Sequence, residues 1–375
     1  MSTSAPVPAP DILRRRLDGA AAAAADAGFD ALIVTPGSDL RYLIGAVGGS
    51  FERLTCLVLP VSGAPTLVVP KLELPGYAAV LVDELGVDAA TWVDGEDPAQ
   101  LTAGLLKAPK RVAISDFTPA LHVLGLRDAL GDVEQQLAGP VIRELRMRKD
   151  ASEISSLREA GAAIDRVHAR MAEFLTAGRT ENEVAADIGA AIVEEGHALA
   201  EFIIVGSGPN GASPHHSASD RVIEPGDVVV IDIGGPIAEG YNSDSTRVYS
   251  IGEPRDADVA ATYAVLQAAQ QAAVDAVRPG VTAQDIDRAA RAVIVDAGFG
   301  DYFIHRTGHG IGLDVHEEPY IVEGNDLPLE PGMAFSVEPG IYQPGRWGAR
   351  IEDIVVVTDD GVESLNNQPH SLVIL

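Results

Sequence analysis

The sequence predicts two domains in one chain: a small layered α/β domain, then a larger one made of two related α/β halves. Three observations lead there. A chain of 375 residues is long for one average domain and comfortable for two, and its 46% hydrophobic residues suffice for a sizeable core. Strand and helix patterns mix through residues 11–135, as in a layered α/β unit. Beyond about residue 140, one helix-then-strand pattern occurs twice in the same order.

The N-terminal elements follow from local chemistry. Residues 1–10, MSTSAPVPAP, read as a flexible tail. Asp11–Ala27 reads as a helix because Ala20–Ala25 is a strong helix-forming run, and Gly28 ends it. Ala31–Val34 is a short strand. Thr55–Pro60 and Thr66–Val69, joined by VSGAP, form a hairpin pattern. Arg111–Ser115 reads as a strand and Thr118–Leu130 as a helix. The charged segment GPVIRELRMRKDASE then marks the boundary, giving domains over 11–139 and 140–375.

The repeat organises the second domain. Gly178–Gly196 and Gly280–Gly298 both open Gly-x-Thr, carry an acid three residues after the threonine, and end at glycine. Thr180 with Glu183 is a full capping-box signal, and Thr282 with Asp285 a weaker one. Further on, Ile223–Asp232 parallels Leu329–Glu338: a Glu-Pro-Gly turn, then an apolar strand ending in a carboxylate. A further acid follows each, Asp244 and Glu352. Two halves about an approximate two-fold axis would bring these four carboxylates together.

Composition excludes several functions. With 55 acidic residues against 27 Lys plus Arg, the net charge of -28 repels nucleic acid and anionic membrane surfaces. The one cysteine, Cys56, rules out an intrachain disulfide framework or a thiolate cluster, and its apolar surroundings make it a small buried hydrophobe. The N-terminus lacks a signal-peptide pattern and no run of 18 apolar residues occurs, so the expectation is a cytoplasmic protein.

The carboxylates carry the chemistry. Asp232 follows VVVI, Glu338 follows AFSV, and Glu352 heads the strand IVVV. Each alone reads as an ordinary ion-paired acid. Together they need a common positive partner, because close carboxylates repel and otherwise take up protons. Arg247 and Arg350 supply part of that charge, and two divalent ions would supply more. The segment HRTGHGIGLDVHEEP adds His305, His309 and His316 among glycines that admit a close ligand. Those glycines argue against a helix, so His305 and His309 are no zincin pair. One of these histidines is expected as a metal ligand and the others as substrate contacts. A mostly oxygen donor set suits Mn(II), Co(II) or Zn(II). Such a site allows metal-assisted hydrolysis of an amide, a phosphate or another ester. The loop GSGPNGASPHHSASD, with His215 and His216, reads as a site rim or a plain surface loop, and Trp347 as a pocket wall or a core residue.

The stretches IVGSGPNGASPHH, VVIDIGG, GYNSDSTR, HRTGHGIGLDVHE, GMAFSVEPGIY and GARIEDIVVVT resemble, in order and content, the pita-bread metallopeptidases. They are closest to the proline-specific branch, the Xaa-Pro dipeptidases (prolidases) and Xaa-Pro aminopeptidases. Residues 11–135 resemble, less specifically, the creatinase/prolidase-type N-terminal domain. The fold implied is that α/β domain plus an α+β pita-bread catalytic domain with internal pseudo-two-fold symmetry. The resemblance also implies a ligand set. Asp232 chelates one metal, Asp244 and Glu352 bridge both, and His309 and Glu338 complete the second. Mn(II) is the first choice of metal. Glu338 takes a proton from a water that bridges the two ions. His215 lines the pocket beyond the scissile bond, His316 stabilises the tetrahedral intermediate or holds the carbonyl, and Arg350 supports the bridge and faces the substrate carboxylate. His216, His305 and Trp347 are further rim candidates. Two departures stand out: Asp232 and Asp244 are one residue further apart than in many relatives, and Asp39 stands where relatives commonly carry asparagine.

The activity expected is hydrolysis of Xaa-Pro dipeptides by a homodimer acting on short peptides. The alternatives are an Xaa-Pro aminopeptidase, a broader dipeptidase, and a noncatalytic binding protein. The intact ligand set opposes the last.

Overall fold

In the computed structural model, which describes residues 6–48 and 52–375, the chain divides into two units, Met1–Arg146 and Met147–Leu375. The first begins with α1 (Pro10–Asp26), which buries Leu13, Leu17, Ala20 and Ala24 along one face. Part of the expected tail, residues 1–5, lies outside the described residues. Pro10 already belongs to α1, at a position where its missing N–H costs nothing. Then come β1 (Ala31–Val34), α2 (Ser38–Ile44), β2 (Cys56–Pro60), β3 (Thr66–Pro70), β4 (Asp88–Trp92), α3 (Pro98–Gly104), β5 (Arg111–Ile114), α4 (Ala120–Leu130), β6 (Glu134–Leu137) and α5 (Gly139–Met147).

The six strands form one sheet in the order β4-β3-β2-β1-β5-β6. The expected hairpin is β2–β3, antiparallel with Cys56 opposite Val68. Ala31 and Ile33 face a core shared with Leu126 and Leu130 of α4, while strand alternation turns Leu32 and Val34 the other way, where they too are fully buried. The helix expected from Thr118 begins at Ala120. Pro119 restricts the residue before it to extended backbone, and the Thr118 hydroxyl donates to the Ser115 carbonyl at 2.8 Å. Cys56 is buried beside Thr102. The charged segment after residue 139 forms α5.

The second unit opens with α6 (Ala151–Ala169), capped by Asp150 and Glu153, followed by α7 (Met171–Phe174) and α8 (Glu181–Glu194). β7 (Phe202–Ser207), β8 (Val228–Pro236) and β9 (Asn242–Ser250) lead to α9 (Val259–Ala276) and α10 (Ala283–Asp296). The remaining strands are β10 (Gly308–Gly310), β11 (Glu317–Ile321), β12 (Ala334–Val337), β13 (Gly340–Gln343), β14 (Trp347–Arg350), β15 (Asp353–Val357), β16 (Val362–Ser364) and β17 (Val373–Ile374). They make sheets of order β17-β9-β8-β7 and β11-β10-β12-β15-β16, with β13–β14 as a separate hairpin. Among the described residues no helix is long and apolar enough to cross a membrane.

The sequence repeat is a structural repeat. Gly178 N–H donates to the Ile223 carbonyl at 2.9 Å, and Gly280 N–H to the Leu329 carbonyl at 2.8 Å. Thr180 bridges Val222 as Thr282 bridges Pro328. Both helices therefore start pinned to the turn that feeds their half's carboxylate strand. The capping differs as the side chains require. Thr180 Oγ1 accepts from Glu183 N–H at 3.2 Å, whereas the Thr282 hydroxyl donates to the shorter Asp285 carboxylate at 2.6 Å. The two ligand-bearing sheets meet where Thr246 of β9 bridges Glu352, just before β15.

Candidate metal centre

Strand alternation delivers the carboxylates to one place. Val228 and Val230 of β8 point into the core between β8 and α9, and the next residue on that face is Asp232. Ile231 and Ile233 face the opposite core beneath α8. Across β8–β9, Asp232 pairs with Thr246 and Gly234 with Asp244, so both aspartates share a face. Glu338 follows β12, and its Oε1 accepts from the Ser336 hydroxyl at 3.0 Å. That hydroxyl also accepts from His309 N–H at 3.0 Å, tying the histidine segment to the Glu338 strand. Glu352 is fixed from β9, its Oε2 accepting from the Thr246 hydroxyl at 2.7 Å.

These residues line one cavity of about 930 Å³ in the second unit. Asp232, Asp244, His309, Glu338 and Glu352 are on its wall, as are His215, His216, His305, His316 and Arg350. His309 Nε2 lies 3.2 Å from Glu338 Oε1 and 3.6 Å from Asp244 Oδ2. Asp244, His309 and Glu352 each offer a ligand atom within 4.8 Å of the others, and all three are buried. Arg350 lies beside Asp232 and Glu338, and His309 beside Asp244 and Glu338. Burial, then the Glu352, Asp232 and Glu338 carboxylates, push Asp244 well above the ordinary carboxylate range. Burial and the Glu338 and Asp232 charges do the same to Glu352. Glu338 goes the other way: burial opposes ionisation, yet the hydrogen bond and charge of His309 hold it at about 2. Asp232 Oδ1 and Glu352 Oε1 are buried without a hydrogen-bond partner among the described residues. Orphaned carboxylate oxygens beside crowded negative charge fit a divalent cation, and the oxygen-rich donor set with one imidazole suits a hard or borderline ion.

Of the expected rim or substrate residues, Trp347 takes the core alternative, while His216, His305 and Arg350 line the cavity and also engage other protein groups. Trp347 does not line the cavity. It alternates with Ala349 and Ile351 into the apolar core, while the intervening Arg350 turns to the site. His216 is on the wall, and its Nε2 lies 2.8 Å from the buried Glu181 carboxylate. His305 Nε2 is 2.9 Å from the Tyr342 hydroxyl. Arg350, expected to support the bridge and face substrate carboxylate, is on the cavity wall and engaged with protein groups. It donates to Asp232, to the Tyr342 hydroxyl at 2.6 Å and to Thr246 Oγ1 at 3.1 Å. His215 and His316 are exposed on the cavity wall, the His316 ring packed edge-on against His309 at 4.1 Å.

The sequence reading missed Thr246, Tyr342 and Arg306. Thr246 was findable, since a strand residue two positions after Asp244 shares its face. Tyr342 was not: its role depends on the β13–β14 hairpin bringing it beside Arg350. Arg306, on the cavity wall, stacks over the Tyr320 ring at 4.4 Å.

Comparison with known proteins agrees with this geometry. Residues 155–359 match the model of metallopeptidase family M24, and residues 16–148 match the creatinase/prolidase N-terminal domain. A probable dipeptidase PepE of Mycobacterium bovis is 61% identical over 366 residues, 97% of each chain. An Xaa-Pro dipeptidase of Lactobacillus delbrueckii subsp. lactis is 37% identical, covering 93% of this chain and 95% of its own. The crystal structure of dipeptidase PepE from Mycobacterium ulcerans superposes with a TM-score of 0.94 at 60% identity, covering 98% of this chain and 99% of that one. The expected fold, a creatinase/prolidase-type domain followed by a pita-bread catalytic domain, is the fold of this chain. With more than half its length inside the family model and a paired α/β scaffold around a buried carboxylate–histidine cluster, the chain belongs to metallopeptidase family M24.

Proposed function

We propose that this metallopeptidase is a dipeptidase that cleaves Xaa-Pro dipeptides, using two divalent ions held by Asp232, Asp244, His309, Glu338 and Glu352, with Mn(II) the first choice. The observation that carries the reading is one cavity whose wall joins that buried cluster to the exposed His215 and His316. Its volume of about 930 Å³ accommodates a small peptide. The names of the relatives add support, since those at 61% and 37% identity are called dipeptidases.

Divalent ions at the cluster supply Lewis acidity and lower the pKa of water beside the scissile carbonyl. Glu338 accepts the proton of the attacking water and returns it to the departing nitrogen. The restraint that keeps Glu338 weakly basic is its contact with His309. Were His309 to hold a cation through its ring nitrogen, its contact with Glu338 would be weakened. Arg350 holds Asp232 and, with Thr246, orients the carboxylate wall. His215, His316 and Arg306 remain for the substrate's carbonyl and carboxylate. Proline in the second position needs only a pocket for its ring, because it brings no amide N–H to satisfy.

The deciding experiment compares Ala-Pro with Ala-Pro-Ala after loading with Mn(II) and after chelation. Cleavage of Ala-Pro alone, lost on chelation, is the expected result. Efficient release of alanine from Ala-Pro-Ala moves the chain to the Xaa-Pro aminopeptidases, and full activity in chelator sinks the metal reading. The proposed assembly is a homodimer, checked by light scattering.

A further inference from the structure

The loop that carries His215 is held from beneath by one buried acid. Glu181, the first residue of α8, is 0% exposed. Its Oε1 accepts from Ser207 N–H at 2.8 Å, from the Ser207 hydroxyl at 2.6 Å and from Asn210 Nδ2 at 3.1 Å. Its Oε2 accepts from Ser219 N–H at 3.1 Å and the Ser219 hydroxyl at 2.7 Å, and lies 2.8 Å from His216 Nε2. These contacts span residues 207–219, with Pro214 and His215 between the anchors. On its other side the loop abuts β14, where a Cβ on Gly348 would come within 2.1 Å of the Gly211 carbonyl oxygen.

The internal repeat separates scaffold from function here. The residue equivalent to Glu181 in the second half is Ala283, also 0% exposed and also the first residue of its helix. Their backbones bond alike, Glu181 N–H to the Arg221 carbonyl at 3.1 Å and Ala283 N–H to the Leu327 carbonyl at 3.0 Å. The helix start therefore does not require a carboxylate. At this position an acid is present only in the first half, whose 207–219 loop lies along the cavity wall.

We infer that Glu181 is a positioning residue, fixing the 207–219 loop so that His215 and His216 stand at the cavity wall for substrate binding. This rests on the peptidase reading for its kinetic arm alone. The carboxylate accepts on both oxygens, so an amide in its place would turn an N–H₂ toward donors and break one side of the network.

Glu181→Gln should raise KM for Ala-Pro about tenfold or more, since hydrogen bonds to a buried charge are among the strong ones. The same variant should keep kcat within about threefold and its metal content at the wild-type level, because no cluster residue is touched. Hydrogen exchange of the 207–219 amides, read by mass spectrometry on the full chain, should accelerate, and Glu181→Asp should recover part of both effects. A lower melting temperature with unchanged KM and unchanged loop exchange overturns the inference and leaves Glu181 a packing residue. If Glu181→Gln does not fold, His216→Ala and Ser219→Ala each remove one anchor and must show the same two changes. Unchanged exchange in both variants refutes the inference. The exchange arm is independent of substrate, so failure of wild-type protein to cleave Ala-Pro would sink the functional reading without altering it.

Discussion

Replacing Asp244 with asparagine should reverse sign with metal. The substitution keeps shape and removes one charge from the buried group Asp244, His309 and Glu352, whose ligand atoms lie within 4.8 Å of one another. At that separation and an effective dielectric of about 20, two like unit charges repel by roughly 3.5 kcal/mol. Proton uptake limits the repulsion actually borne, because burial and the neighbouring carboxylates raise the proton affinity of Asp244 and Glu352. The metal-free variant should therefore be more stable than metal-free wild type by about 1–3 kcal/mol, a rise of several degrees in melting temperature at this chain length. With Mn(II) at about a thousand times its dissociation constant, wild type gains about 4 kcal/mol that a ligand-deficient variant largely forgoes. Thermal unfolding of both proteins, in chelator and in Mn(II), gives four midpoints whose order should cross. If Asp244→Asn is destabilised under both conditions and keeps the full metal response, Asp244 is a structural acid and the cluster reading is wrong.

Three further outcomes follow from the surroundings of the cluster. Burial, with Arg247 nearby, lowers His168 to about 3 from its ordinary 6.5, so the folded state binds fewer protons than the unfolded one between those values. Stability should therefore fall as pH drops below about 6.5, by roughly 3 kcal/mol on reaching pH 4, and chemical denaturation of His168→Gln should show a shallower acid slope from this site. Thr246→Val removes the hydroxyl shared by Glu352 and Arg350, and should cost about 1–3 kcal/mol of stability in denaturant titration together with a lower metal affinity by calorimetry; unchanged metal affinity would refute its supporting role. Tyr342→Phe frees both His305 and Arg350 from one hydroxyl, and should reduce kcat/KM about tenfold while the protein stays folded by circular dichroism.

Periodicity read well where it was strong and local. The helix around Ala20–Ala25 and the β2–β3 hairpin follow from composition and turn chemistry. Both edge strands of the first sheet were silent. β4 reads DAATW and β6 reads EQQL, both mostly exposed and with no apolar alternation, so hydropathy gives them no signature. The two-residue shift from Thr118 to Ala120 at the start of α4 shows how one proline moves an element boundary.

Whether a side chain faces the cavity or the core depends on strand phase, and phase is set by partners distant in sequence. Trp347 and Arg350 sit in one short strand with opposite destinations, and neither is marked in the sequence. Arg350 appears free for a substrate carboxylate until the fold brings Asp232, Thr246 and Tyr342 to it. The carboxylates were legible for a different reason. An acid at the end of an apolar strand conflicts locally with burial, and the same conflict recurs at the matching place in both halves. The repeat also shows what the scaffold needs: Ala283 builds the helix start that Glu181 builds, so that start alone does not call for an acid. A difference between otherwise matching halves, such as Glu181 against Ala283, is therefore the place to test whether a common scaffold serves substrate binding.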